Sequence, residues 1–164
     1  MPSVKVEELT PESFRPFGTY ANLLDPQSEF LGKKPVAFYR DMIPLAISNP
    51  CSLPSVSICL VEKRPLVVNI SEYHSYTAEG NVSLDSDILF HVGPATPNGV
   101  FPKDAIRVFR IPAGVFVNIY PGVWHHAPFA DRVAHVLCLL PERTYANDCI
   151  VKTLSKSDQL NIKI

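Results

Sequence analysis

The stretch GVFVNIYPGVWHHAPF, from Gly114 to Phe129, joins a short apolar run to a Pro-Gly pair, the chain's only tryptophan and two adjacent histidines. The run GVFVNIY is rich in β-branched and aromatic residues, which predicts a β-strand. The Pro-Gly pair predicts a turn directly after that strand. The histidines are then either the polar tips of a hydrophobic corner or part of an active site.

Similar apolar runs recur from Ser55 onward, about every ten to fifteen residues, and Gly, Pro, Asn or Asp separate them. No stretch from 55 to 145 keeps a helical period, which disfavours a βαβ fold. The pattern is typical of an antiparallel sandwich or a small barrel. The predicted strands are SVSICLVE (55–62), LVVNISEYH (66–74), SDILFHVG (86–93), AIRVFRIP (105–112), GVFVNIY (114–120) and RVAHVLCLL (132–140).

Outside this region the signals are fewer. Thr10 is a good N-cap and Pro11 suits the first helical position, so a helix is predicted to begin there. Pro16 ends it within about two turns. The run PVAFYRDMI (35–43) predicts a strand that ends before the next proline, and the tail (153–164) predicts a short helix or strand.

The composition predicts one globular domain over residues 1–164, with 46% hydrophobic and 19% charged residues. A formal charge of −1 gives no electrostatic case for binding nucleic acid or an anionic membrane. No apolar run approaches the roughly 20 residues that cross a bilayer. The first residues, MPSVKVEEL, lack the apolar core of a signal peptide, so a cytoplasmic location is expected.

The four cysteines contain no C-x-x-C pair, which argues against a zinc finger. Without a secretory signal, a disulfide framework is also disfavoured. Cys59 and Cys138 lie inside apolar runs, so both are predicted to be buried small hydrophobes.

Polar residues that strand patterns leave unexplained fall in two clusters. Glu72 and His74 are two residues apart, so both point to the same face of a strand, and Glu79 stands just before a predicted Gly-Asn turn. His125 and His126 form the second cluster. Inward residues of neighbouring barrel strands converge, so these side chains predict a site for a divalent metal, with Zn, Mn, Fe, Ni and Co equally suited. The alternative is that the glutamates are solvated and His74 is a surface histidine.

Adjacent strand residues face opposite ways, so His125 and His126 are not both expected to point inward unless the turn still bends the chain. We expect His125 to be the inward ligand and His126 to be an acid or base. Trp124 is expected to pack at the barrel mouth, where it forms either core or one wall of a pocket.

The spacing of these residues resembles that of cupin barrels. Cupins usually carry His-x-His, four residues and Glu in a first motif, and a second motif that ends Gly-x-x-His. This chain has Glu72-x-His74, four residues and Glu79, followed by Gly122-Val-Trp-His125. The match is complete except that glutamate replaces the first histidine.

Most of the chain resembles the ureidoglycolate lyase family. The resemblance implies a mainly β, cupin-type antiparallel β-barrel of jelly-roll type with a few short helices, in a homodimer. It also implies a lyase of purine-derived nitrogen metabolism that splits ureidoglycolate into glyoxylate and urea. The matching blocks are LTPESFRPFG (9–18), Glu72-Tyr-His74, Val123-Trp-His125-His126 with Phe129, and Asp148-Cys149.

The chain departs from the family pattern at three places. Family members commonly have Gln where Glu79 stands and often have His where Tyr120 stands. A family arginine aligns with the Ser57 to Cys59 region, which contains none. An added carboxylate and a missing guanidinium leave two alternatives open. One is a metal-dependent lyase, isomerase or epimerase acting on another hydroxy acid, keto acid or sugar acid, and the other is a non-catalytic barrel that binds a small ligand.

The reaction needs a base for a hydroxyl proton and an acid for the departing nitrogen, and a small carboxylate substrate favours an arginine partner. Arg107 and Arg110 are three apart on a strand, so at most one is expected to face inward; a solvated strand face is the alternative. The predicted roles are metal ligands Glu72, His74, Glu79 and His125; acid or base groups Glu72, His126 and Tyr120; and substrate-binding side chains Arg132, Trp124, Arg107 and Arg110.

Overall fold

The computed structural model describes residues 1–33, 35–47 and 52–164, and strands dominate it. The strands are β1 Ser3–Glu8, β2 Gly18–Asn22, β3 Phe30–Leu31, β4 Phe38–Tyr39, β5 Pro54–Val61, β6 Val67–Val68, β7 Ile70–Tyr73, β8 Glu79–Ser83, β9 Ile88–Gly93, β10 Arg107–Ile111, β11 Val115–Ile119, β12 Trp124–His125, β13 Ala134–Pro141, β14 Ile150–Thr153 and β15 Leu160–Lys163. The helices are α1 Pro11–Phe14 and α2 Thr144–Asn147, with 3-10 turns at Pro97–Gly99 and Lys103–Ala105. None of the helices described here has the length and apolar character needed to cross a membrane.

The strands form two main sheets, as predicted for a mainly β cupin-type barrel. The eight-stranded sheet has the order β14-β7-β12-β9-β10-β1-β15-β6, and the five-stranded sheet has the order β2-β11-β8-β13-β5. Pairing is antiparallel except at β1, which lies parallel to both β10 and β15. The antiparallel prediction missed this strand. Parallel strands need a long connection between them. Strand β1 satisfies this requirement because β10 and β15 lie far from it along the chain.

The core lies between the two sheets. Phe90 and Val92 of β9 pack there with Val117 and Ile119 of β11. Strand alternation sends every second residue of β9 to the opposite face, where Leu89 joins a second apolar cluster. Strand β9 is consequently buried along its whole length, so it fixes the position of its neighbour β12.

Most predicted elements are confirmed at the expected places, including the helix that Thr10 caps. The strand predicted over 66–74 breaks at Asn69, because β6 pairs with β15 whereas β7 pairs with β12 and β14. The tail forms a strand, β15. The strand predicted over 35–43 is wrong except at β4, which makes only a two-residue exposed pair with β3.

The predicted turn at Gly80 and Asn81 is also wrong, because both residues lie inside β8. A Cβ on Gly80 would lie 2.3 Å from Cζ of Phe116, so the glycine makes room for that ring. The consequence is that Glu79 and Asn81 share one face of a strand.

The cysteine prediction holds only in part. Cys59 and Cys138 pack against the core but are half-buried, because both also line a cavity. Cys51 lies outside the described residues.

His91 is buried in β9, and its Nε2 lies 3.1 Å from Oγ of Ser71. Burial, with a smaller contribution from the nearby imidazoles and Arg64, lowers the pKa of His91 to about 3. Below about pH 6.5 the imidazole of His91 binds a proton in the unfolded chain but not in the folded chain. The free energy of unfolding therefore decreases as the pH falls.

We expect this histidine alone to cost about 2 kcal/mol of unfolding free energy between pH 7.5 and pH 5. Urea unfolding at both pH values should show that His91→Gln removes this part of the pH dependence. The matched change His135→Gln, at an exposed histidine, should leave it unchanged. An equal pH dependence in the wild type and His91→Gln would contradict the assignment.

Candidate active site

A cavity of about 280 Å³ opens between the two sheets. It combines acidic, imidazole, thiol and amide groups with an apolar wall. The residues that line it are Ser55, Ser57, Cys59, Glu72, His74, Glu79, Asn81, Phe90, His125, His126, Ala127, Pro128, Cys138, Leu140, Pro141, Arg143, Thr144, Tyr145 and Cys149.

Three of these side chains converge on one point. Oε2 of Glu79 lies 2.8 Å from Nε2 of His74 and 3.2 Å from Nε2 of His125. One ligand atom from each of the three residues lies within 4.8 Å of the others, and both histidines are buried. The structure thus brings together three of the four predicted metal ligands.

Each member of this cluster has a separate backbone origin. His74 follows the end of β7, Glu79 is the first residue of β8, and His125 ends β12. The Pro-Gly turn ties two of these segments together, because the N–H of Gly122 donates to the carbonyl of His74 over 2.6 Å. Gly122 has φ +78°, a left-handed conformation that favours glycine.

Both imidazoles are oriented by backbone carbonyls. Nδ1 of His74 donates to the carbonyl of Asp148 over 2.6 Å, and Nδ1 of His125 donates to that of Val123 over 2.8 Å. A histidine that donates through Nδ1 presents the lone pair of Nε2 when the ring is neutral. Both Nε2 atoms therefore face the Glu79 carboxylate as potential ligands.

The cluster is strongly coupled electrostatically. Burial opposes the charge on Glu79, but hydrogen bonds from His125 and His74 outweigh burial and hold the pKa of Glu79 well below its ordinary value. Burial would likewise lower the pKa of His74, yet the hydrogen bond and charge of Glu79 raise it. A buried carboxylate of this kind needs a cation beside it, either a protonated imidazole or a metal ion.

The donor set fits a divalent metal. Two Nε2 lone pairs and one carboxylate oxygen converge, and each imidazole already has the hydrogen-bonded Nδ1 typical of metal-binding histidines. Two histidines with one carboxylate form a known three-ligand set that leaves positions open for water or substrate.

Glu72 lines the same cavity but lies outside the converging cluster. It pairs directly across from His125, and its Oε2 accepts a hydrogen bond from the Cys149 thiol at 3.2 Å. Burial and the Glu72 carboxylate raise the pKa of Cys149 to about 12, so the thiol stays protonated and donates. Cys149 thereby orients Glu72.

His126 lines the cavity together with His125. Strand alternation does not separate them, because β12 ends at His125. Burial lowers the pKa of His126, and Arg64 adds to this effect while Glu72 opposes it. Its Nδ1 is buried without a hydrogen-bond partner among the described residues. His126 is therefore a neutral imidazole at neutral pH and is free to take a proton.

Arg64 braces the loop that carries His126. It donates to the carbonyls of Ala127 and Pro128 and lies 4.1 Å from the ring centre of Phe129. No role was predicted for this arginine, because its partners are backbone carbonyls of a distant loop that no sequence motif reveals.

Trp124 and Tyr120 do not line the cavity. The Trp124 ring lies on the opposite face of the large sheet, where its Nε1 donates to Oγ1 of Thr96 over 2.9 Å. Tyr120 lies in the turn after β11 and is partly exposed. Alternation along β12 explains the placement of Trp124: His125 faces the cavity, so its neighbour Trp124 faces away.

The three predicted arginines also lie elsewhere. Arg107 forms an ion pair with Glu7, and Arg110 lies 3.5 Å from Glu8, because β1 is parallel to β10 and carries these acids beside them. Arg132 donates to Oγ of Ser86 over 2.7 Å and stabilises a loop.

Asn81 and Arg143 are among the cavity residues that the sequence did not predict. Asn81 was hidden by the turn wrongly predicted at Gly80. Arg143 stands at the start of α2 and belongs to no motif, so only the fold brings it to the cavity.

Two facing sheets with a His-Glu-His cluster in the cavity between them define a cupin. A dTDP sugar isomerase from Desulfovibrio desulfuricans G20 shares this fold with a TM-score of 0.51 and 14% identity, over 87% of this chain and 89% of that one. Within the cupins, the chain belongs to the ureidoglycolate lyase family, whose model matches residues 1–161. It is 28% identical to a ureidoglycolate lyase of Burkholderia cepacia over 76% of this chain and 71% of the relative. The corresponding protein of Pseudomonas aeruginosa is 23% identical over 98% of this chain and 95% of its own length.

Glu79→Gln tests the predicted metal site, because an amide lacks the charge that offsets a bound cation. We expect affinity for Mn²⁺ or Zn²⁺, measured by calorimetry, to fall by more than the roughly 10–100-fold that loss of a ligand's supporting hydrogen bond costs. The matched change Glu12→Gln, on the exposed face of α1, should have no effect. Unchanged affinity in Glu79→Gln would remove this residue from the ligand set.

Proposed function

We propose that this protein is a ureidoglycolate lyase, which cleaves ureidoglycolate to glyoxylate and urea. Membership of the family supports the reaction. The observation that carries the proposal is His126, a half-buried imidazole that lines the same cavity as the His-Glu-His cluster, with a lowered pKa and an Nδ1 without a hydrogen-bond partner among the described residues.

The reaction moves one proton from the oxygen to the nitrogen that are bonded to the same carbon. Ureidoglycolate carries a hydroxyl and a ureido nitrogen on that carbon, next to a carboxylate. Loss of the hydroxyl proton lets the C–O bond become a carbonyl while the electrons of the C–N bond pass to nitrogen. The nitrogen then takes a proton and urea leaves.

His126 performs both proton transfers in this proposal. A neutral imidazole accepts the hydroxyl proton, and the imidazolium returns it to the nitrogen bound to the same carbon. The lowered pKa of His126 favours the neutral form before reaction and makes the imidazolium a good acid afterwards. The proton count balances without a second acid.

Glu72 holds the leaving group. Its carboxylate accepts hydrogen bonds, and the ureido group offers N–H donors that match it. The thiol of Cys149 donates a hydrogen bond to Oε2 of Glu72, which restricts the carboxylate to one orientation. Glu72 is thus a binding group for the urea end and keeps that end beside His126.

His74, Glu79 and His125 hold a divalent metal in this proposal, and their donor types suit Zn, Mn, Fe, Ni and Co. A bound metal would supply Lewis acidity that lowers the pKa of the substrate hydroxyl. The backbone hydrogen bonds at both Nδ1 atoms keep these ligands in place.

Release of urea from ureidoglycolate by the purified protein tests the function. His126→Gln should lower kcat by about 10²–10⁴-fold, because a proton-transfer group is lost while the cavity keeps its shape. His135→Gln, at a histidine outside the cavity, is the matched control and should keep wild-type kcat.

Absence of urea release from the metal-loaded wild type would overturn the proposal. Metal binding without urea release would favour a cupin enzyme acting on another hydroxy acid, keto acid or sugar acid. A protein that neither binds metal nor releases urea would favour a non-catalytic ligand-binding barrel.

A homodimer is part of this proposal, with β5 as the contact. This strand forms one edge of the five-stranded sheet, and Val56, Ile58 and Leu60 on its outer face are each more than half exposed. A long, exposed apolar edge strand invites pairing with another chain. No charged residue occurs from 53 to 61, so two copies meet here in a two-fold arrangement without repulsion. The cytoplasmic location stays a prediction.

Sedimentation of Ile58→Glu tests this contact, because two buried carboxylates at a two-fold interface repel one another. We expect the wild type to sediment as a dimer and this variant as a monomer. Leu24→Glu, at an exposed residue just after β2 on the opposite edge of the same sheet, should leave the dimer intact. A wild-type monomer, or a dimeric Ile58→Glu variant, would contradict the β5 contact.

A further inference from the structure

Arg143 stands at the mouth of the cavity with an unusual set of properties. It is the only arginine or lysine among the described residues that line the cavity. Its guanidinium has no hydrogen-bond or ion-pair partner within the part of the chain that the structure describes. A cation without a protein partner beside a cavity is available to a ligand.

The charge inside the cavity makes such a cation useful to an anionic substrate. Glu72 and Glu79 both line the cavity, and Glu79 already has the imidazoles of His74 and His125 beside it. A substrate carboxylate entering this space still meets repulsion from Glu72, which has no cation paired with it among the described residues. An arginine offsets that repulsion and matches the two carboxylate oxygens with parallel N–H donors.

The backbone holds Arg143 in a defined place. Its φ is +61°, in the left-handed region that residues with a Cβ seldom adopt. The carbonyl of Arg143 accepts hydrogen bonds from the N–H groups of Ala146 and Asn147, which stabilises this conformation. Strained backbone at a cavity rim is typical of residues that a functional site requires.

The segment that carries Arg143 is also fixed to the metal-binding end of the site. The Asp148 carboxylate accepts the N–H groups of Ser75 and Tyr76 over 2.7 and 2.9 Å, and its carbonyl accepts Nδ1 of His74. Arg143 and the His-Glu-His cluster are therefore held at a constant separation.

Asn81 adds a neutral polar side chain to the cavity wall, on the same face of β8 as Glu79. It is 3% exposed, and its Nδ2 has no hydrogen-bond partner among the described residues. Cys138 pairs with Asn81 on one side and with Ser57 on the other, and all three residues line the cavity. A neutral amide donor suits the carbonyl of an uncharged ureido group better than it suits a carboxylate.

We infer that Arg143 binds the substrate carboxylate at the cavity mouth and thereby makes the enzyme specific for ureido acids over neutral carbinolamides. This inference deepens the proposed function and rests on it for the identity of the substrate. Arg143, at the start of α2, would then supply the guanidinium that is missing from the Ser57 to Cys59 region.

Two substrates that differ only in the carboxylate separate this role from a structural one. N-(Hydroxymethyl)urea is the same carbinolamide with hydrogen in place of the carboxylate, and it splits into formaldehyde and urea. Arg143→Asn is the chosen variant because asparagine tolerates the left-handed backbone. It should raise KM for ureidoglycolate about 10–100-fold with little change in kcat, and leave kcat/KM for N-(hydroxymethyl)urea unchanged.

Arg143→Lys should recover part of the loss, since it restores the charge without the paired donors. Arg15→Asn, at an exposed arginine after α1, is the matched control and should behave as the wild type. Equal losses with both substrates, or an unchanged KM for ureidoglycolate, would overturn the inference.

Binding of glyoxylate, measured by calorimetry, keeps the test independent of turnover. The wild type should bind glyoxylate, and Arg143→Asn should bind it about 10–100-fold more weakly. If the wild type releases no urea but shows this difference, the proposed function fails while carboxylate binding by Arg143 stands. Equal affinities, or no binding by the wild type, would overturn the inference about Arg143.

Discussion

The structure depends on one buried carboxylate, that of Glu79, held between two imidazoles. His74 and His125 approach its Oε2 to 2.8 and 3.2 Å, and each ring is fixed at Nδ1 by a backbone carbonyl. A buried charge is costly unless every neighbour is in place, so this contact constrains three separate segments at once. The end of β7, the start of β8 and the end of β12 must meet where the two sheets face each other.

The rest of the site follows from the segment 141–149, which closes the cavity. Asp148 attaches this segment to the loop after His74, and Cys149 orients Glu72 through its thiol. The same attachment fixes Arg143 at the mouth. Asp148 and Cys149 match the family pattern in the sequence. In the structure they connect the metal-binding histidine His74 with Glu72 and with the segment that carries Arg143.

Much of this arrangement could be predicted from local signals. Strand runs bounded by Pro, Gly and Asn predicted the strands from 55 to 141 except β8 and β12. The Glu-x-His and Gly-x-x-His spacings indicated the residues that converge on Glu79. These signals work because strand alternation and cupin spacing are properties of the chain itself. The resemblance to the ureidoglycolate lyase family is confirmed across residues 1–161.

The remaining errors have a common cause, which is that they depend on contacts between distant segments. Gly80 was predicted in a turn because the Phe116 ring that requires a glycine there comes from another strand. The parallel neighbour β1 directs Arg107 and Arg110 to acids on its own edge. Arg143 reaches the cavity only through the path of the chain after β13. A sequence pattern contains none of these partners.

His74 and His125, and not His126, are expected to present Nε2 to a metal beside Glu79. Nitrogen-15 NMR of the imidazole rings of all five histidines, recorded before and after addition of Zn²⁺, tests this most directly. We expect the Nε2 resonances of His74 and His125 to shift, while both Nδ1 atoms keep their protons and His126 stays unliganded. A Zn²⁺ shift at His126, or no shift at His74 and His125, would contradict it.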